Sequence, residues 1–426
     1  MIDMVGIGPF VVMPLVISYV GGPGFLAAWI AGALLSFIDT MIWSELGSAF
    51  PKAGGSFNFL REAYGREKWG KLMSFLYVWQ TLIQAPLVIA SGSIGFAQYA
   101  GYLIPLDEFT RRVVSGSVVI LLTIILYRKI DTIGKIGTML WAGVILTIGW
   151  LIWGGITHGD LNRPIKEFTE LNSFSYLLTA GFGSAMVKTI YSYLGYYNVC
   201  HLGSEIKNPE KNIPRSMFLS VAGIAVLYLL MNISVTSVIP WQEAMHSEFI
   251  VSTFVEKIYG PAAATGATIM ILWIAFASLF AVMLGYSRVP YAAALEGEFF
   301  PAFGRLHPTR HFPHIAVLGL GITAFFFSLL FKLADVITAI LAMRILVQFI
   351  GQAIGVILLR RRRKQEGLEM KTWKMPLYPV PVVLAVLMWA WVFYSTGLQF
   401  MLSGIVVIIL GLVVYFLRKK KPSRAN

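Results

Sequence analysis

The chain has a single cysteine, Cys200, in 426 residues, so no intramolecular disulfide can form. That thiol is expected to pack as a small apolar group inside a helix. Charge is scarce as well: Asp, Glu, Lys and Arg make up 13% of the chain and hydrophobic residues 57%. Such a balance excludes an ordinary soluble domain of this size. There is no phosphate-cradling glycine loop with its lysine, no spaced set of metal ligands and no nucleophile–base pair. Nothing points to an enzyme, and no cofactor or metal is expected. His307, His311 and His314 form an H-x3-H-x2-H pattern without nearby cysteines or acids, which reads as a solvated loop. No secretory leader separates from the first apolar run, and a short cytoplasmic segment ahead of it is expected.

Long apolar runs dominate what is present. A helix needs about 20 apolar residues to cross a bilayer. Twelve runs fit, and they are numbered here as spans 1 to 12: 2–20, 24–48, 69–100, 111–127, 132–157, 173–204, 213–240, 262–295, 313–331, 333–360, 376–396 and 399–418. With the amino terminus inside, 25 of the 34 Lys and Arg fall in cytoplasmic segments and six in external loops. The remaining three, Lys188, Arg288 and Arg344, lie within spans. This asymmetry is the positive-inside signal. It accounts for the net charge of +13 and makes the run Arg360–Lys364 a topology anchor, with no nucleic-acid partner. The expectation is an all-α, multi-pass protein of the cell membrane, surrounded by lipid, with both termini cytoplasmic.

Two spans carry interruptions. "MVGIGPFVVMP", Met4 to Pro14, places Gly6, Gly8 and Pro9 within four residues, and these residue types most weaken a helix interior. Span 6 reads "VKTIYSYLGYYNVC", with Gly195 inside an aromatic cluster. Either break alone is compatible with a kink or a small-residue packing face. Interruptions in corresponding spans of two halves are the sequence pointer to a transporter's midplane site. Spans 1–5 (residues 1–157) and 6–10 (173–360) would then form two inverted repeats, with spans 11 and 12 (376–418) appended. The physics suits an amino acid: unwinding frees N–H groups for a carboxylate and carbonyls for an ammonium or a cation.

Three segments carry a family resemblance. "SELGSAFPKAGGSFNFLREAYG" (Ser44–Gly65), "EIKNPEKNIPRS" (Glu205–Ser216) and "EGEFFPAFGRLHP" (Glu296–Pro308) stand in order after spans 2, 6 and 8. They resemble the corresponding loops of amino acid–polyamine–organocation superfamily permeases. The resemblance implies a LeuT-like fold with a 5+5 inverted repeat and broken helices 1 and 6. It also implies secondary active transport of amino acids by alternating access. The family's span-1 motif, Gly-Ser-Gly-Ile-Phe, aligns with Gly6-Ile7-Gly8-Pro9-Phe10. Substrate-binding positions carried over are Gly6, Ile7 and Gly8 in span 1, and Tyr191, Ser192, Leu194 and Gly195 in span 6. Tyr191 takes the place of the aromatic that closes over substrate, and Tyr197 is a second gating candidate. Pro9 stands where the family has Ile and lacks an N–H, but proline is favourable at the first helical position. It reads as the start of the second half-helix.

Intramembrane charges are functional candidates by default. Asp39 lies deep in span 2, and a carboxylate there together with Gly8-Pro9 is similar to plant-type polyamine permeases. A polyamine or other organic amine is therefore the alternative substrate. Gln348 and Gln352 stand in span 10 where a polycation would call for an acid. Lys188 and Arg344 are fixed positive charges that could hold a coupling position, receive an anionic substrate group, or pair with Asp39 or Asp335. The lysine that many sodium-independent relatives carry in mid-span 5 is missing; only Lys135, at the cytoplasmic start of that span, is near. Proton, sodium and exchange coupling all stay open.

Overall fold

In hydrocarbon every backbone N–H and C=O must be satisfied within its own segment, so the apolar runs fold as helices. The computed structural model describes residues 4–52, 54–127, 133–171, 175–310, 312–367 and 372–419. A helix stands in each of the twelve expected runs, and the described residues contain no strand. Among the described residues, seven helices are by themselves long and apolar enough to cross a membrane: Phe25–Ala49, Lys68–Leu103, Glu108–Leu126, Pro209–Val238, Pro261–Leu295, Leu333–Gln365 and Leu398–Arg418. Gly8–Val20, His314–Leu330 and Val380–Ser395 are shorter apolar helices at spans 1, 9 and 11. Expectations on Arg128, Lys129, His311, Lys371 and the tail beyond 419 lie outside the described residues, as do those on the side chains of Lys135 and Glu205.

The irregular spans are irregular for identifiable reasons. Span 5 turns by 87° into the short helix Asn162–Thr169, whose start is held by the Asp160 carboxylate accepting from the Asn162 N–H at 3.0 Å. Span 6 is Ala180–Tyr193 followed by the 3-10 segment Tyr196–Glu205. Between them Leu194 is extended and Gly195 has φ 114°, a conformation that an L side chain resists. Span 10 runs as α-helix over Leu333–Arg344, as π-helix over Ile345–Ile350, then as α-helix again. Such π segments occur often at functional sites.

Packing sorts the spans into two groups. Spans 1, 2, 6 and 7 contact one another, and so do spans 3, 4, 8 and 9. Within the groups, 1 packs on 6, 2 on 7, 3 on 8 and 4 on 9, while span 5 packs on 7 and 8. Close approach is helped by small residues: a Cβ on Gly32 of span 2 would come within 2.6 Å of Thr189 Oγ1 in span 6. At the Lys/Arg-rich end, Glu45 is fully buried. It accepts from Arg360 Nε and Nη2 at 2.6 Å each and from the Met375 N–H at 2.9 Å. The guanidinium also lies 4.0 Å from the Tyr378 ring centroid. Spans 2 and 10 and the segment before span 11 are thus tied at one point. Cys200 is buried with its thiol 3.8 Å from Met217 Sδ, the packing role expected for it.

Candidate functional site: two facing helix breaks

The helix of span 1 begins at Gly8, with Ile7 as its N-cap residue and Pro9 in the first turn. The Ile7 carbonyl accepts from the Phe10 and Val11 N–H groups at 3.1 and 3.3 Å. Among the described residues, nothing accepts from the N–H groups of Gly6, Ile7 or Gly8. Gly6 and Gly8 have work to do as glycines. A Cβ on Gly6 would lie 2.9 Å from Ser278 Oγ in span 8; one on Gly8 would lie 3.2 Å from Tyr191 Cε1 and 3.6 Å from Ser192 Oγ. The two breaks therefore face each other with the backbone of span 1 in direct contact with Tyr191 and Ser192. The Ile7 side chain points away, packing on Gly95 of span 3.

On the span-6 side the carbonyls divide. The Leu194 N–H donates to Ile190 and Tyr191 oxygens, and the Gly195 oxygen accepts from Asn198. The Ser192 oxygen accepts from the Tyr228 hydroxyl at 3.3 Å. Among the described residues, Tyr193 and Leu194 keep carbonyls without a donor. A cation or ammonium at the break would meet these two, a narrower set than Tyr191 to Leu194. Tyr191 is anchored at its far end, its hydroxyl 2.8 Å from Ser91 Oγ in span 3.

Tyr197 lies past the break on the Lys/Arg-rich side, buried and stacked on Trp43 with centroids 4.7 Å apart. On its other side lies Arg344, 5.0 Å from the ring centroid. Arg344 is 2% exposed and donates from Nε to Gln348 Oε1 at 2.9 Å. Among the described residues no carboxylate pairs with it. Cation–π contacts recover roughly 0.5–2 kcal/mol, while removing a cation from water costs several kcal/mol.

The other two intramembrane charges are engaged away from the breaks. Asp39 accepts from the Tyr196 hydroxyl at 2.5 Å and from Trp389 Nε1 at 3.2 Å, tying spans 2, 6 and 11. Lys188 donates to the Ala334 carbonyl and to Thr338 Oγ1 of span 10, the latter at 2.6 Å. Its partners are thus a backbone oxygen and a hydroxyl, with Asp335 close enough to be felt electrostatically. It also stands 5.8 Å from the Tyr19 ring centroid. Arg288 is exposed near the end of span 8.

Several residues at the site carried no sequence signal. Tyr228 of span 7 donates to the Met4 oxygen at 2.9 Å and to Ser192, linking the two breaks through one hydroxyl. Ser91, Ser278 and Tyr286 were equally silent. Tyr286 sits 3.4 Å from Gln84 Nε2. A hydroxyl in an apolar run marks no distance, and only the fold brings these groups to the breaks.

A helical protein in which an interrupted helix, span 6, meets the glycine-rich start of the span-1 helix has the arrangement of a permease. A family model described as amino acid permease matches residues 1–416. The chain belongs to the amino acid permease family. It is 27% identical to the serine/threonine exchanger SteT of Bacillus subtilis over 99% of this chain and 94% of that protein. It is 23% identical to the branched-chain amino acid permease BcaP of the same organism, over 95% and 88%. Human Asc-type amino acid transporter 1 is 26% identical, over 97% of this chain and 79% of its own. These are transporters and not enzymes, and the polyamine alternative is not favoured.

Proposed function

We propose that the protein is a secondary active amino acid transporter of the cell membrane, with both termini cytoplasmic, working by alternating access around the two breaks. Residues 1–157 and 173–360 are its two inverted repeats, and 376–418 its appended helices. The substrate carboxylate sits on the N–H groups of Gly6, Ile7 and Gly8, and the ammonium on the carbonyls of Tyr193 and Leu194 beside Gly195. Ser192 adds its hydroxyl and Tyr191 closes over the pair. One observation carries the reading: Gly8 stands within a single Cβ of Tyr191 and Ser192, so the start of the span-1 helix lies against the residues just before the span-6 break. The Lys and Arg asymmetry supports the orientation. The names of the relatives favour small neutral and branched-chain amino acids as first substrates to try.

The test is uptake in proteoliposomes of labelled serine, threonine, alanine, leucine and valine, with putrescine as the amine control. Each is run with and without sodium, with a pH gradient, and with unlabelled amino acid inside. Saturable amino acid uptake or counterflow is expected, and the driving condition identifies the coupling mode. Uptake of putrescine alone, or of nothing, would overturn the reading.

A further inference from the structure

Beside the breaks, on the side of the Lys/Arg-rich loops, the structure buries a cation without a counter-charge among the described residues. Arg344 precedes the π segment of span 10 and rests against the rings of Tyr197 and Phe349, at 5.0 and 5.7 Å. Its Nε donates to Gln348 Oε1, and the ionisable groups around it are the hydroxyls of Tyr197, Tyr286, Tyr77 and Tyr196 and the imidazole of His201. Rings and neutral hydroxyls supply no negative charge. A second, independent observation points the same way. Gln80 of span 3 is 2% exposed, and neither its Nε2 nor its Oε1 has a partner. Gln80 lies three residues from Tyr77, so both project from one face of the helix. The Nε2 of Gln348 is also buried without a partner. Buried amides without partners, Gln348 next to the guanidinium and Gln80 on the span-3 face that carries Tyr77, are costly in the unliganded protein. An anion accepting from these donors would remove both costs at once.

We propose that Arg344, Gln348 and Gln80 form an anion subsite on the inner side of the span-6 break, taking a small monovalent anion, a carboxylate or a halide. Tyr197 is two residues past Gly195 and lies under the guanidinium, so the subsite adjoins the place assigned to the amino acid. It rests on that assignment for its role in transport, though binding of an anion does not depend on it. Two sources share the chemistry: the side-chain carboxylate of an acidic amino acid held at the break, and free chloride bound beside a neutral one.

The experiment uses the full chain purified in detergent and reconstituted in proteoliposomes. Thermal unfolding is followed against L-glutamate and L-aspartate, with uncharged L-glutamine as control, and separately against chloride, with bulkier gluconate at equal ionic strength. A saturable rise in Tm with the acidic amino acids identifies the carboxylate source, and one with chloride the halide source. Either supports the proposal if Arg344→Gln weakens the anion by about thirtyfold or more while Arg344→Lys keeps part of the response. The proposal is overturned if neither anion exceeds its control, or if the shift survives in Arg344→Gln. Should Arg344→Gln not fold, Gln80→Leu keeps the charge and removes an orphaned amide; an unchanged anion affinity there would equally overturn it. Neutral amino acid uptake, run in parallel, separates the two readings. Its absence in the wild type counts against the transporter assignment, whereas the subsite stands or falls with the anion-dependent Tm shift.

Discussion

Adding one methyl group to Gly8 tests the facing-break geometry most directly. A Cβ there would lie 3.2 Å from Tyr191 Cε1 and 3.6 Å from Ser192 Oγ, with the first distance inside ordinary van der Waals contact. The ring cannot simply swing aside, because its hydroxyl is held 2.8 Å from Ser91 Oγ. Overpacking of this degree costs about 1–3 kcal/mol, which lowers uptake efficiency about five- to 150-fold if the contact is where substrate binds. Helix formation does not suffer, since alanine suits a helix start at least as well as glycine, so any fall in Tm comes from the Tyr191 contact alone. Gly8→Ala is therefore expected to reduce kcat/KM for amino acid uptake with a modest fall in Tm, and Gly8→Leu to abolish uptake. Ser91→Ala frees the Tyr191 hydroxyl, so the double variant should recover part of what Gly8→Ala loses. Normal uptake by Gly8→Leu, or strict additivity of Gly8→Ala and Ser91→Ala, would refute the argument.

Three further outcomes follow from single contacts. Tyr228→Phe leaves the Met4 and Ser192 oxygens without their hydroxyl and should cost about 1–3 kcal/mol, seen as lower Tm and weaker uptake; Tyr193→Phe, which loses one bond to the Trp29 oxygen, should cost less. Glu45→Gln breaks the pair between the fully buried Glu45 and the partly exposed Arg360 and should cost up to about 3 kcal/mol, so its Tm should fall below that of Glu243→Gln, which loses only an exposed pair with Lys257. Lys188→Met removes donors to Ala334 and Thr338; it should lower stability and rate without reordering the amino acids preferred, and a changed preference in the uptake panel would show that Lys188 contacts substrate.

Where the chain says a helix must lie, and where it must break, hydropathy and local chemistry suffice. Gly195 between tyrosines marks the span-6 break because no other residue takes φ 114° without strain, and Pro9 marks the helix start because its ring presets a helical φ. The site's supports are a different matter. Tyr228, Ser91 and Ser278 come from three spans, and their hydroxyls matter only because packing brings them to Met4, Tyr191 and Gly6. Lys188 illustrates the limit further: its strongest partner is a backbone carbonyl in span 10, and a carbonyl has no letter in a sequence.

The arrangement of charge restricts what can pass the breaks. Asp39 and Glu45 are the carboxylates of span 2, and each has its oxygens occupied: Asp39 by Tyr196 and Trp389, Glu45 by Arg360 and the Met375 N–H. Asp335 sits in the first turn of span 10 beside Lys188, far along the helix from Arg344. A polyamine entering the breaks would thus meet two backbone carbonyls, several hydroxyls and a buried guanidinium, and its second ammonium would stay uncompensated at a cost of several kcal/mol. An α-amino acid needs one donor set and one acceptor set, and the proposed site offers one of each. On the same proposal the positive charge at Arg344 would tilt the selection further, repelling a cationic group that reaches past Gly195 and holding an anionic one.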